Sequence, residues 1–355
     1  MSTLSDIEAL VSAMPVPVIF LGPDGRILAA NPPATGLMGH EGRGRHYITA
    51  LRQPELLDVV EQTFADHAPR KTRYLGTAGR RDTTWRVTAA PARLAGGTGV
   101  LLTFEDVTAV EEAGQIRRDF VANVSHELRT PLTALLGFVE TLRGPAREDA
   151  AARDRFLGIM EREAARMARL VEDLLSLSRV EENERLRPVE PVVLSDLVLE
   201  VAEMVRPLAL QAGLELRVRV PDERVEVPGD AEQLRQVISN LLENAIKYGR
   251  GGPAVELSLG KPQPESPLRT QGVRLSVRDH GEGIASHHIA RLTERFYRVD
   301  SHRSREVGGT GLGLAIVKHI VNRHRGRLRI ESEPGQGSRF TVILPSGDPG
   351  SGGVL

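Results

Sequence analysis

Apolar residues recur every three or four positions along two long stretches of this chain, and the first stretch turns one histidine to its opposite side. Over residues 111–142, Ile116, Phe120, Val121, Val124, Leu128, Leu132, Leu135, Phe138, Val139 and Leu142 fill an arc roughly 160° wide when residues are set about 100° apart. The pattern predicts a long amphipathic helix. His126 lies almost opposite that arc, with Glu127 beside it, Thr130 one turn on and Pro131 following. Pro131 should bend the helix, because its ring crowds the Glu127 carbonyl and removes one backbone hydrogen bond. An imidazole in water next to a carboxylate suits chemistry with something that docks from outside. Taken by itself, a solvent-facing histidine is more often simply solvated.

The second stretch covers residues 152–182, where Phe156, Met160, Ala164, Met167, Val171, Leu174 and Leu175 keep helical spacing among many arginines and glutamates. A short loop, residues 144–148, joins the two. One antiparallel hairpin cannot bury both stripes, so two hairpins pairing into a four-helix bundle is the expected solution, which makes the chain a homodimer.

Ahead of this hairpin the pattern changes to short strands. Residues 18–21 and 26–30 read as strands around a turn at Gly22-Pro23-Asp24-Gly25, and Asn31-Pro32-Pro33 is a helix-start signal. Residues 73–75, 84–89 and 99–104 have strand character, with turns expected at Gly79-Arg80 and Gly96-Gly97. The only tryptophan, Trp85, is read as core. Behind the hairpin, Pro188-Val189-Glu190-Pro191 marks a linker, after which strands and helices alternate to about residue 344. Residues 260–267, rich in proline, read as a surface loop, and residues 346–355 as a disordered tail.

Charge and composition narrow the chemistry. The 46 basic and 47 acidic residues nearly cancel, so nothing global points to direct nucleic-acid binding. No cysteine is present, which removes thiolate metal sites and thiol nucleophiles and fits a reducing compartment. No apolar run approaches the length of a membrane span and no leader is visible. The chain as given is expected to be soluble and cytoplasmic, either as a soluble variant, with any membrane association made through a partner, or with a membrane segment missing from it.

Four clusters in the last segment carry candidate chemistry. Asn240, Asn244 and Lys247 share one helix face; amide oxygen is a hard ligand suited to Mg²⁺, so Asn244 is a reasonable metal ligand, although such a face is as readily a solvated one. Asp279-His280-Gly281-Glu282-Gly283-Ile284 follows an apolar strand over residues 273–277. Its carboxylate could accept the exocyclic amine of adenine, and its glycines could let a base approach the backbone; alone it is equally a tight turn. Gly308-Gly309-Thr310-Gly311-Leu312-Gly313-Leu314 opens a helix over residues 315–323 and could present N–H groups to phosphate. Gly335-Gln336-Gly337 turns into a final strand over residues 340–344.

In this order, downstream of His-Glu-x-x-Thr-Pro, these motifs resemble those of bacterial two-component sensor histidine kinases, here of the phosphate-regulon type over residues 292–300 and 316–326; residues 1–108 resemble a PAS domain. The resemblance implies a multidomain chain: a PAS-like α+β sensory domain (1–108), a dimerising histidine-phosphotransfer hairpin (109–187) and an α/β sandwich ATP-binding domain (188–345). It implies that His126 is the phosphoacceptor, Glu127 its acid/base and Thr130 the residue used in dephosphorylating a response regulator. It carries Asn244 over as Mg²⁺ ligand, and Asn240, Lys247, Tyr248, Asp279, Gly281, Gly283, Ile284, Phe296, Arg298, Gly309, Thr310, Gly311, Leu312 and Gly313 as ATP-binding residues. Residues 297–308 would form a lid over ATP. The implied function is autophosphorylation from Mg-ATP and transfer to an aspartate of a response regulator, with regulator dephosphorylation, a PAS ligand and a role in phosphate starvation as further expectations. The alternative is an ATP-binding regulator phosphatase or scaffold without autokinase activity.

Overall fold

The computed structural model describes all residues except 1, 40–41, 79–80, 95–96, 183–185, 267, 269, 300–308 and 347–355. The chain divides into two compact units, Met1–Ala122 and Asn123–Leu355.

The first unit is built on a five-stranded antiparallel sheet in the order β2-β1-β5-β4-β3, formed by β1 (Val18–Leu21), β2 (Ile27–Ala30), β3 (Arg70–Ala78), β4 (Arg81–Leu94) and β5 (Gly97–Asp106). The unbroken apolar run of β1 has a physical reason, because both of its faces are covered. Ile19 and Leu21 join the core with Val87, Leu102 and Phe104 beside residues of α2 (Pro32–Met38), α3 (Tyr47–Leu51) and α4 (Pro54–Asp66). Val18 and Phe20 point the other way, where Val11 of α1 (Ser2–Ser12) packs. Asn31 caps α2 by accepting from the Ala34 N–H, and its buried amide also bonds Val18, Met14 and Val16, so one residue fixes both a helix start and a strand edge. Trp85 packs against the core, its indole N–H donating to Thr83 at 2.9 Å. The expected turns at residues 79–80 and 96 lie outside the described residues.

The helical hairpin consists of α5 (Thr108–Arg143) and α6 (Ala150–Glu182). In the second unit, Phe138 and Phe156 stack across it with centroids 5.4 Å apart, and Asp149 caps α6 through the Ala152 N–H. Pro131 lies within α5 and is buried. Leu132, Leu136, Val139, Val171 and Leu175 remain exposed on this single chain.

The rest of the second unit is a two-layer α/β sandwich. Its sheet runs β12-β13-β11-β9-β7, with β10 added on β11, from β7 (Glu215–Arg219), β9 (Ala254–Leu259), β10 (Gln263–Glu265), β11 (Thr270–Arg278), β12 (Arg327–Glu333) and β13 (Gly337–Pro345). Pairing is antiparallel except between β7 and β9. Helices α7 (Leu194–Gln211), α8 (Ala231–Tyr248) and α10 (Gly313–Arg323) pack against it, while β6 (Pro191–Val193) and β8 (Glu226–Pro228) form a separate pair. α9 (Ser286–Ile289) is a single turn.

The region expected to be a surface loop at residues 260–267 is in part a strand: β10 pairs with β11, and the carboxylate of Glu265 is buried against Arg274 at 2.5 Å. A proline at a sheet edge costs no ladder bond when its missing N–H faces outward, which is why the composition misleads there. Among the described residues no helix is long and apolar enough to cross a membrane. Of the expected tail, residues 347–355 lie outside the described residues; Ser346 still donates its N–H to Gln271.

Candidate functional site

Helix α8 presents its amphipathic polar edge beside the start of α10. Asn240 donates to the Gly313 carbonyl at 3.4 Å, and Lys247 lies against Gly309 so closely that a Cβ there would stand 2.4 Å from its Nζ. The Lys247 ammonium is half-buried and lies over the Tyr248 ring at 5.0 Å; burial pushes its pKa down. Asn244 is half-buried on the same face. The donor set fits a hard cation that keeps phosphate and water ligands: an amide oxygen from Asn244 beside a glycine-rich helix start.

Asp279 directly follows β11 and is buried at 4% exposure. Its Oδ1 accepts from the Gly281 N–H at 2.9 Å and the Ser338 N–H at 3.2 Å. Burial pushes its pKa up, with those two bonds opposing. The neighbouring glycines are required by close packing within the protein itself. A Cβ at Gly281 would stand 2.1 Å from the Tyr248 carbonyl oxygen, one at Gly283 1.9 Å from that of Glu333, and one at Gly337 2.1 Å from that of Asp279. The space their missing side chains leave is filled by the protein's own backbone, which locks α8, β12 and β13 around Asp279. Ile284 completes the wall, its N–H donating to Ser332 at 2.8 Å. His280 bonds Glu256 at 3.3 Å.

The glycine-rich turn is shaped from the other side by Phe296. Both Phe296 and Gly311 have positive φ, 64° and 74°, and the Phe296 N–H donates to the Gly311 carbonyl at 2.9 Å. Thr310 accepts from the Leu312 N–H at 3.3 Å and donates to Asp173 of α6 at 2.7 Å, and Leu312 is fully buried. Arg298 donates to the Gly309 carbonyl and reaches Glu127 at 3.3 Å. Tyr297 bonds His288 at 2.6 Å. Gly308 and residues 300–307, the greater part of the expected lid, lie outside the described residues.

His126 is exposed, as its helical position predicts, and Glu127 turns inward toward Arg166 and Arg298. The Thr130 hydroxyl donates to the His126 carbonyl at 3.2 Å. Glu127 and Pro131 of the histidine motif and Thr310 of the glycine-rich turn thus border one narrow gap with Arg166, Met167 and Leu170. Arg166, Asp173 and Glu181 were not singled out by the sequence motifs. Arg166, Leu170, Asp173, Leu177, Val180 and Glu181 form a second stripe on α6, roughly 100° round from the one centred on Met167 and Val171. Along it Leu170, Leu177 and Val180 are buried, Asp173 meets Thr310, and Glu181 meets Arg295 and His319. Spacing alone could have revealed this second face.

Comparison with known proteins agrees with this geometry. Residues 229–348 match the model of the histidine kinase-, DNA gyrase B- and HSP90-like ATPases, residues 116–183 the His Kinase A phospho-acceptor domain and residues 11–112 a PAS fold. The chain is 43% identical over 242 residues to the phosphate regulon sensor protein PhoR of Pseudomonas aeruginosa, covering 68% of this chain and 53% of that protein. It is 34% identical over 349 residues to the sensor histidine kinase WalK of Bacillus subtilis, covering 96% of this chain and 55% of that protein. The chain therefore spans about half the length of the curated relatives it matches. The crystal structure of histidine kinase ThkA in complex with response regulator protein TrrA shares the fold, with a TM-score of 0.51 at 23% identity, covering 97% of this chain and 99% of that one. With a PAS fold, a phospho-acceptor helical region and an HATPase domain in that order, the chain belongs to the sensor histidine kinases and is similar to those of the PhoR and WalK type.

Proposed function

We propose that the chain is an ATP-dependent protein-histidine kinase that phosphorylates His126 and passes the phosphoryl group to an aspartate of a response regulator. The observation that carries this reading is the Glu127–Arg298 contact at 3.3 Å, which joins the neighbour of the nucleophile to the edge of the nucleotide site. Asp279 would read the adenine amine, with Gly281, Gly283 and Ile284 shaping its pocket. Asn240, Lys247, Tyr248, Phe296, Thr310 and Leu312 would line the nucleotide, and N–H groups around Gly309, Gly311 and Gly313 would meet its phosphates. Bound Mg²⁺, held by Asn244, would neutralise phosphate charge. His126 then attacks in line while Glu127 takes the ring proton, so positioning supplies most of the rate. The division into residues 1–108, 109–187 and 188–345 assigns sensing, phosphotransfer and ATP binding in turn. For sensing, an open cleft beside Leu37, Tyr74, Gly76 and Thr83 is the candidate ligand entry.

Exposed Leu132, Leu136, Val139, Val171 and Leu175 on the hairpin support a homodimer through a four-helix bundle. Thr130 lies one turn from His126 on the exposed face, where its hydroxyl oxygen could orient water toward a phosphoaspartate. The chemistry would lie in the cytoplasm, with ATP and the receiver. Thr130→Ala should keep most autophosphorylation yet leave the phosphorylated regulator long-lived; equal loss of both activities would make Thr130 structural. Similarity to the phosphate regulon sensor supports a role in phosphate starvation, which a reporter of phosphate-limited transcription in a deletion strain would test.

The second reading, a regulator phosphatase or scaffold without autokinase activity, draws on the same pair, since here Glu127 and Arg298 engage each other. Incubation with γ-labelled ATP separates the two readings.

A further inference from the structure

Glu127 is held by two arginines from different parts of the second unit. Arg166 of α6 donates to Glu127 Oε2 at 2.9 Å, and Arg298 reaches the same oxygen at 3.3 Å. The side chains of Arg166, Arg298 and Glu127 are only 15%, 9% and 20% exposed, a setting in which a charge pair keeps more of its attraction than at an open surface. Glu163 flanks Arg166 at 3.7 Å from the preceding turn, so the guanidinium is fixed from two sides. The arginines differ in what else they touch. Arg298 also donates to the Gly309 carbonyl, whereas Arg166 and Glu127 both belong to the helical hairpin. Lys247 lies near enough that, after burial, the charges of Arg298 and Arg166 also lower its pKa. Three cations therefore converge beside the glycine-rich turn.

We propose that Arg166 is a positioning residue for histidine phosphorylation, anchoring the Glu127 carboxylate when Arg298 leaves it for the transferring phosphate. The inference rests on the kinase reading above. A guanidinium that turns its fork to a phosphate gives up its bond to the carboxylate. Without Arg166, Glu127 would then be a half-buried carboxylate with no cation to orient it, a costly arrangement. With Arg166 it stays fixed on the paired helix wherever Arg298 goes. In the step itself, a ring nitrogen of His126 forms the new N–P bond as the bond between the γ-phosphorus and the bridging oxygen breaks. The electron pair leaves on ADP, and the proton on the other ring nitrogen passes to Glu127.

The test is single-turnover autophosphorylation of the full chain for Arg166→Gln, Arg166→Lys, Glu127→Gln and the double variant Glu127→Gln/Arg166→Gln. Circular dichroism and nucleotide binding serve as folding controls. Arg166→Gln should lower the rate at saturating Mg-ATP by about tenfold or more, within the range that acid–base catalysis contributes. Its KM for ATP should stay within about twofold of wild type, the mark of an interaction used only in the reacting complex. Lys should restore part of the rate by restoring the charge, and the double variant should be no slower than Glu127→Gln alone. A raised KM with an unchanged saturating rate would make Arg166 a nucleotide contact and overturn the proposal, as would additive losses in the double variant. A slow Glu127→Gln with an unimpaired Arg166→Gln overturns the positioning role alone, while a Glu127→Gln as fast as wild type overturns the acid/base reading beneath it as well.

Discussion

The backbone N–H of Asp230 donates to Nε2 of His324 at 3.0 Å, while Nδ1 of the same ring donates to the Ile320 carbonyl at 2.8 Å. This pair of bonds requires a neutral ring protonated at Nδ1. It ties the end of α10 to the residue that caps α8, whose later turns carry Asn240, Asn244 and Lys247. Burial pushes the His324 pKa below its ordinary 6.5. Below about pH 6.5 the unfolded chain takes up a proton that the folded ring refuses, so stability falls as pH drops through that value. Hydrogen exchange over residues 230–240 should therefore quicken from pH 7.5 to pH 5.5 once the intrinsic pH dependence is removed. His324→Leu should lose that extra pH dependence and be destabilised by about 1–3 kcal/mol at neutral pH, because Asp230 N–H and the Ile320 carbonyl lose their partner.

Asp279→Asn should leave the domain folded, since an amide oxygen can still accept from Gly281 and Ser338. It should weaken ATP binding by roughly ten- to a hundredfold, the worth of a hydrogen bond to a charged group, and reduce discrimination of ATP from GTP. Because burial raises the Asp279 pKa, acidification from pH 7 should weaken ATP binding before ordinary carboxylates protonate, and the Asn variant should lack that component. Calorimetric titration with each nucleotide at several pH values checks both statements.

Gly283→Ala should be far more damaging than Gly335→Ala. Both positions have positive φ, 69° and 80°, which alone costs a non-glycine residue about 1–2 kcal/mol. Only at Gly283 would the new Cβ meet backbone, at 1.9 Å, whereas nothing lies within 4 Å at Gly335. Thermal unfolding of the ATP-binding domain should drop slightly for Gly335→Ala and sharply, with loss of nucleotide binding, for Gly283→Ala.

What the sequence made legible was what local patterns dictate. Residues 18–21 form the expected strand, Asn31 starts the expected helix, and the two long helices lie within a few residues of their expected bounds. The positions of Asp279 and the glycine-rich turn at β11's end and α10's start follow from the same patterns. What was hidden depends on partners far along the chain. Strand β10 was masked by its proline, and Glu265 needed Arg274 across a ladder to be recognised as buried. Arg166 and Asp173 look like solvated helix residues until Glu127 and Thr310 are brought to them. That close packing demands glycine at 281 and 283 was hidden too, because spacing cannot show that the Tyr248 and Glu333 carbonyls stand where a side chain would go.

Leu132 and Val171 are exposed on a single hairpin, so charging them should cost the isolated chain little and an assembled bundle much. Leu132→Glu with Val171→Glu would bury unpaired carboxylates between hairpins, at several kcal/mol. Light scattering at micromolar concentration should find a dimer for wild type and a folded monomer for the double variant; a wild-type monomer contradicts the bundle.

The most direct measurement is the acid and base stability of the phosphoryl label that the full chain acquires from γ-labelled ATP, compared between wild type and His126→Gln. The label should be lost in acid and retained in base, as for an N–P bond, and should be absent from His126→Gln although that variant binds ATP as wild type does. An acid-stable label, or labelling of His126→Gln, would contradict phosphorylation of His126.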